Sequence, residues 1–198
     1  MKTLILASQS PRRSEILKKE NYFFVSFPVH VSEIPDKNLS LNDQIIDIAR
    51  RKAIACLDLY PDKISDSLIL AADTMVCIDE KALGKPENNF DAKKTLQLLS
   101  GRIHQVKTAI YFFDVINNEH LSHIETTTVV FKKISNDEIE KYLNLNEHQD
   151  KAGSYGIQGS AKIFVDQISG DYQNIVGLPI DAIKNIMKNK KWMIKNGN

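Results

Sequence analysis

Arg12 and Arg13 stand where cations are hardest to place. They close the segment LASQSPRR. Thr3 to Ala7 is a short apolar run that reads as a strand, and Ser8, Gln9 and Ser10 break it. Ser10 suits an N-cap, and Pro11 suits the first helical position, where its missing N–H costs nothing. The spacing predicts a helix from Pro11 through Ile16 and Leu17. Its first turn carries two guanidiniums at a dipole end that is already positive and rich in unpaired N–H donors. Two cations are unfavourable there unless an anion joins them. Strand, Ser-rich loop, helix N-terminus and paired arginines describe a phosphate cradle. The plainer alternative leaves both arginines in solvent.

Lys52 and Asp73 are misplaced in the same sense. On a helix running from Ser40 to Leu59, the apolar stripe comprises Ile45, Ile48, Ala49, Ala53 and Cys56. Position 52 falls in the middle of that stripe, whereas Arg50 and Arg51 lie elsewhere and can be solvated. A lysine aimed at the core needs a snorkelling path or an anionic partner. Asp73 interrupts the apolar run Leu68 to Ile78, which reads as a buried strand. A carboxylate there must pair, bind metal or sit at an open strand end; an Asx-turn or cap is the alternative. Glu33, in a polar loop, and Lys85, between Gly84 and Pro86, are less telling alone. The loop KAGSYGIQG offers Ser154, Gln158 and three glycines that permit close backbone approach to a ligand, or plain turns.

These groups need an alternating frame. Tyr22 to Phe27 reads as a strand, and Val29 to Lys37 as a loop. Ser40 and Asp43 have capping-box-like spacing at the long helix. Ala82 to Phe90 reads as a loop, Asp91 to Leu99 as a helix closed by Gly101. Ile103 to Val115 and Ile124 to Ile134 read as paired strands around an Asn117-Asn118 turn. Ser135 and Glu138 form a capping box for a helix ending near Leu145. Ala161 to Ile168 reads as a strand, Gly170 to Pro179 as a loop, and Ile180 to Lys188 as the last helix. The terminal NKKWMIKNGN reads as a solvated or frayed end. The alternation, with a hairpin, suggests α/β with a mixed sheet.

A chain of 198 residues suits one domain, in one or two lobes, with a core that needs no disulfide or structural metal. Net charge is +1 despite 26% charged residues, so no global field favours a polyanion, and nucleic acid is not the expected partner. Basic groups must be concentrated locally if they bind phosphate. Cys56 and Cys77 lie in apolar segments outside any C-x-x-C pattern, and read as reduced core thiols in the cytosol. No stretch approaches a membrane span or a signal-peptide core. His120 and His123 read as surface residues beside the hairpin.

Seven segments in order, LASQSPRR, ARRKA, AADTMV, GKP, LSGRIHQVKTA, KAGSYGIQG and the GLP after GDYQNIV, resemble the Maf family of nucleoside triphosphate pyrophosphatases. They span Leu6 to Pro179. The resemblance implies an α/β, Maf / inosine-triphosphatase-like fold: one domain over residues 1–190, two lobes around an elongated mixed sheet with a cleft, then a tail over 191–198. It implies cytosolic hydrolysis of a nucleoside triphosphate to the monophosphate and pyrophosphate with a divalent cation, Mg²⁺ or Mn²⁺. It assigns Asp73 as proton acceptor and places Ser8, Arg12, Glu33, Lys52 and Lys85 in the polar site. The chemistry of the residue types adds detail. Ser8, Ser10 and Arg12 can hold phosphate oxygens, Lys52 and Lys85 can neutralise developing charge, and Glu33 and Asp73 can coordinate the metal. The same sequence serves Asp73 as base or as metal ligand.

The resemblance resolves further. Arg13, Thr74 and Gln158 match the subgroup acting on dTTP and UTP; a second subgroup, acting on 7-methyl-GTP, differs at these positions. A glutamine amide can donate and accept, which matches the O4 and N3–H edge of uracil or thymine. Competing expectations are a non-catalytic nucleotide-binding regulator of cell division and a 7-methyl-GTP pyrophosphatase. The presence of both Glu33 and Asp73 favours an enzyme. A homodimer is compatible with any of these.

Overall fold

The computed structural model describes residues 1–195. Two compact units emerge. One comprises Met1–Asp73, Thr108–Glu125 and the chain from Gly177 onward; the other comprises Thr74–Lys107 and Thr126–Val176.

In the first unit, β1 (Thr3–Leu6) leads to α1 (Pro11–Lys19), then β2 (Phe24–Ser26), α2 (Leu41–Leu59) and β3 (Ser67–Ile78). β1 lies between β2 and β3 and is parallel to both, in the register Leu4↔Leu68, Ile5↔Ile69 and Leu6↔Leu70. These six residues are almost wholly buried, as a parallel sheet covered on both faces requires. Burying each stabilises the fold by about 1.5–3 kcal/mol, which is how short strands hold their place. Because β1 and β3 are parallel, the chain leaves both toward the same edge. Ser8 to Ser10 follow β1 there. β3 runs on past Leu70, its last residue paired with β1, so Asp73 lies beside that exit.

The remaining strands are β4 (Lys81–Leu83), β5 (Ile103–Asp114), β6 (Glu119–Phe131) and β7 (Val165–Ser169). The sheet order is β2-β1-β3-β5-β6-β7, with β4 antiparallel to β3 and β7 antiparallel to β6. The helices are α3 (Asn89–Leu99), α4 (Asn136–Leu143), α5 (Tyr172–Val176) and α6 (Ile180–Asn189). The predicted α/β class with a mixed sheet is the one found. Ser40 accepts the Asp43 N–H, and Ser135 with Glu138 makes a complete capping box. Gly101 follows α3 at φ 70°.

Several local expectations are corrected. β2 is half the predicted length, because its residues are largely exposed at the sheet edge. The segment read as a loop from Ala82 opens with β4. Its hairpin turns on Asp79 and Glu80, both at positive φ, without the glycine that signals such a turn. Asn88 caps α3, so that helix starts two residues before Asp91. Ala161 to Phe164 belongs to a 3₁₀ turn (Ser160–Phe164), and only then does β7 begin. The predicted loop at 170–179 holds α5, and α4 ends at Leu143.

The tail is not frayed through residue 195. Trp192 is buried with its ring 5.3 Å from that of Phe112, and Ile194 bridges Lys2 beside β1. The lysine-rich composition hid an indole that gains by burial. Residues 196–198 of the predicted tail lie outside the described residues. Lys2 in turn reaches buried Asp114 at 2.6 Å. Burial alone would raise that carboxyl; bonds from Lys2 and Asn117 outweigh it and hold it below the usual range.

In the second unit, His104 packs edge-on against Phe131 and Tyr155, with Nε2 2.8 Å from the Tyr155 hydroxyl. Burial pushes its pKa from 6.5 down to about 4. Between those values the unfolded chain binds a proton that the native protein refuses. This contribution to stability is complete above pH 6.5 and is lost as pH falls toward 4. The urea midpoint is expected to drop between pH 7 and pH 5, and His104→Phe to flatten that slope. Equal slopes in the two proteins would clear His104 of the effect.

Candidate functional site

Lys52 sits where the helical period places it, on the buried face of α2, and it does not snorkel. Its Nζ lies 2.7 Å from Asp73 Oδ1 and 2.7 Å from Glu33 Oε1. Lys52 is 7% and Asp73 9% exposed, whereas the Glu33 side chain is 38% exposed. One ammonium thus joins a carboxylate from the middle of β3 to one from the loop after β2. Burying a lone charge costs several kcal/mol, and the mutual pairing offsets that cost. The Asx-turn alternative for Asp73 is overturned, since the residue is inside a twelve-residue strand.

The cradle takes shape at the edge where β1 ends. Ser8 is buried, and its Oγ accepts the Ser10 N–H at 3.1 Å and Arg13 Nη1 at 3.3 Å. Ser10 holds the N-cap position of α1 in extended backbone, yet its side chain makes no cap bond. The expected N-cap position is thus the one found, without a side-chain capping bond. No acidic residue stands in the first turn either, so the helix end keeps its positive character. Arg13 is 8% exposed, and its Nε donates to the Gly177 carbonyl at 2.8 Å. Burial lowers the pKa of this guanidinium, the charge of Asp73 opposes the shift, and Arg12 reinforces it. Arg12 itself is half-exposed. The reading that sends both arginines into solvent fails for Arg13.

Ser8, Ser10, Arg12, Arg13, Glu33, Lys52 and Asp73 thus belong to one unit. Thr74, Lys85 and Gln158 belong to the other. There, Gly153 donates its N–H to the Gly84 carbonyl at 3.1 Å, which ties the glycine-rich loop to the turn carrying Lys85. Gly153 has φ 69°, and a Cβ on it would stand 2.9 Å from the Val76 methyls of β3. A side chain is excluded by both conformation and space. Gln158 is exposed on a turn that Glu147 braces: its carboxylate accepts the Ser160 N–H at 2.7 Å and the Ser160 hydroxyl at 2.8 Å. A Cβ on Gly159 would meet that carboxylate at 2.1 Å.

Glu147 was not singled out in the sequence, and nothing in its local pattern marks it. The helical period leaves Arg51 free to be solvated. It is held instead by Asp47, Ser32 and Ile34, and a signal was available: Asp47 stands one helical turn before it.

One unit of a mixed α/β fold thus brings together two arginines in the first turn of α1 and a lysine that bridges two carboxylates beside the end of β1. Residues 3–190 match the family described as Maf-like protein, and the chain belongs to that family. It is 46% identical over 185 residues to a dTTP/UTP pyrophosphatase of Bdellovibrio bacteriovorus, which covers 93% of this chain and 96% of that one. A dTTP/UTP pyrophosphatase of Pyrococcus abyssi is 43% identical over 187 residues, covering 93% and 95%. One of Bacillus cereus is 40% identical over 191 residues, covering 95% of each. Among solved structures, the Staphylococcus aureus Ham1 protein aligns at a TM-score of 0.50 and 12% identity, over 96% of this chain and all of that one. That likeness concerns fold alone.

The bridge has a measurable consequence. Lys52→Met leaves two neighbouring carboxylates without their shared cation, and is expected to destabilise the protein by about 3 kcal/mol. Adding Asp73→Asn removes the stranded buried charge and should recover much of that loss. Denaturation curves of both variants decide the matter. A Lys52→Met protein as stable as wild type would mean that the bridge adds nothing to the fold.

Proposed function

We propose that this chain hydrolyses dTTP and UTP, and modified pyrimidine nucleotides like them, to the monophosphate and pyrophosphate. Its role is then to clear such nucleotides from the cytosolic pool. The observation that carries this reading is 40–46% identity, over more than nine-tenths of the chain, to relatives bearing that name. The chemistry of the site supports it. Ser8, Ser10, Arg12 and the first-turn N–H groups of α1 bind phosphate oxygens. Lys52 and Lys85 offset the charge that gathers on pyrophosphate as the α–β anhydride bond breaks. Asp73, held in one orientation by Lys52, accepts the proton of the attacking water. Residues 1–190 form the catalytic domain.

Glu33 and Asp73 supply the hard oxygen donors that Mg²⁺ or Mn²⁺ prefers. Two carboxylates fall short of a six-ligand shell, so these residues fit an ion that is shared with the triphosphate and water. When bound, such an ion would supply electrophilic assistance at phosphate oxygens. Base choice is assigned to Gln158, with Arg13 and Thr74. The rigid turn around Gln158 keeps its amide presented, and a mismatched base edge would leave polar groups unpaired.

Incubating the purified protein with dTTP, UTP, CTP, GTP and 7-methyl-GTP, with either metal, tests the reading. Pyrophosphate release is expected, with the highest kcat/KM for dTTP and UTP. Orthophosphate plus the diphosphate as products would overturn the reaction; preference for 7-methyl-GTP would overturn only the substrate assignment.

Asp73→Asn should slow turnover by roughly 10²-fold or more while the protein stays folded. Turnover near that of wild type would remove Asp73 from the chemistry.

A further inference from the structure

Glu33 is the one carboxylate of the bridge that no regular element carries. Residues 27–40 form neither helix nor strand. The start of this stretch is anchored, with Val29 buried, Phe27 stacked on Tyr60 and the Pro28 carbonyl accepting from the Tyr60 hydroxyl at 3.2 Å, but Ser32, Glu33 and Ile34 are all exposed, Ile34 at 77%. A loop of this length would sample many conformations and direct Glu33 elsewhere for much of the time. Beside the ion pair of Glu33 with Lys52, a single guanidinium holds the backbone on each side of Glu33. Arg51 Nη1 donates to the Ser32 carbonyl, and Nη2 donates to the Ile34 carbonyl at 3.1 Å. Its Nε donates to Asp47 Oδ2 at 2.9 Å, one turn back on α2. The carbonyls flanking Glu33 on either side are therefore fixed by one planar fork, and that fork is fixed to a helix. The next residue of the helix is Lys52, which receives the Glu33 carboxylate.

We propose that Arg51 is a positioning residue: it holds the peptide on each side of Glu33 so that the carboxylate stays on Lys52 and faces the reaction. The inference rests on the role given to Glu33 above and goes beyond it by naming what sets Glu33 in place. Lysine cannot substitute, because an ammonium lacks the rigid fork that spans two carbonyls. Arg50, its neighbour, donates to the other oxygen of Asp47 at 2.7 Å.

The test is a cycle of Arg51→Met, Glu33→Gln and the double variant, with Arg51→Lys alongside. kcat and KM are measured for pyrophosphate release from dTTP, and hydrogen exchange is followed at amides 31–35 in the free protein. Arg51→Met is expected to lower kcat about tenfold through displacement of Glu33, with little change in KM. It should speed exchange in that stretch. Added to Glu33→Gln it should lower kcat no further, because nothing is left to position. Arg51→Lys should behave like Arg51→Met. Thermal midpoints taken in parallel show that each variant is folded.

Equal losses from Arg51→Met with and without Glu33→Gln would show a general structural role and overturn the inference. So would wild-type kcat, or unchanged exchange, in Arg51→Met. Wild-type turnover of Glu33→Gln alone would instead overturn the role of Glu33 itself, a failure of the underlying reading that the cycle separates from the first.

Discussion

The ammonium of Lys52 between Glu33 and Asp73 is the interaction on which the rest of the site depends. Without it, β3 could not carry a carboxylate among residues that are almost all buried, and α2 could not present a lysine from its apolar face. Each of these groups alone is a liability in a low-dielectric interior. Together they are tolerated, and Lys52 holds both carboxylates beside the point where β1 ends and β3 runs on. The fold thus keeps Lys52 and Asp73 buried and aligned, with the Glu33 side chain partly exposed beside them.

The parallel pairing of β1 and β3 is the second constraint. It sends the Ser8–Ser10 loop and Asp73 to the same edge, and no antiparallel arrangement of the same strands would do so. Arg13 is buried beside that loop. Its bonds to Ser8 Oγ and the Gly177 carbonyl tie the first helix to the segment leading into α6. Arg13 is therefore a structural strut.

The second unit is organised by tight backbone contacts. Gly153 lies against Val76 and donates to Gly84, and Glu147 fills the space beside Gly159. These contacts brace the chain between α4 and β7, which holds only turns and 3₁₀ segments. The neighbouring Lys85 and Gln158 are presented from braced turns.

Much of this was legible before any coordinates, for a physical reason. An ionisable residue inside an apolar period violates the local pattern, and Lys52 and Asp73 could be found by that violation alone. Helix caps and the long strands follow local rules of the same kind, as Ser40, Ser135 and β3 show. The family was legible from seven short segments in order. What tertiary structure alone decided is which groups meet. That Lys52 takes both carboxylates, that Arg51 reaches across from a helix face to a loop, and that Glu147 braces a turn through Ser160, thirteen residues ahead of it, are contacts between chain segments with no shared period. The buried Trp192 and the glycine-free turn at Asp79 and Glu80 were missed likewise, since packing against Phe112 and pairing along β3 outweighed weak local preferences. Local sequence determined where charge was out of place; only the folded chain decided what answered it.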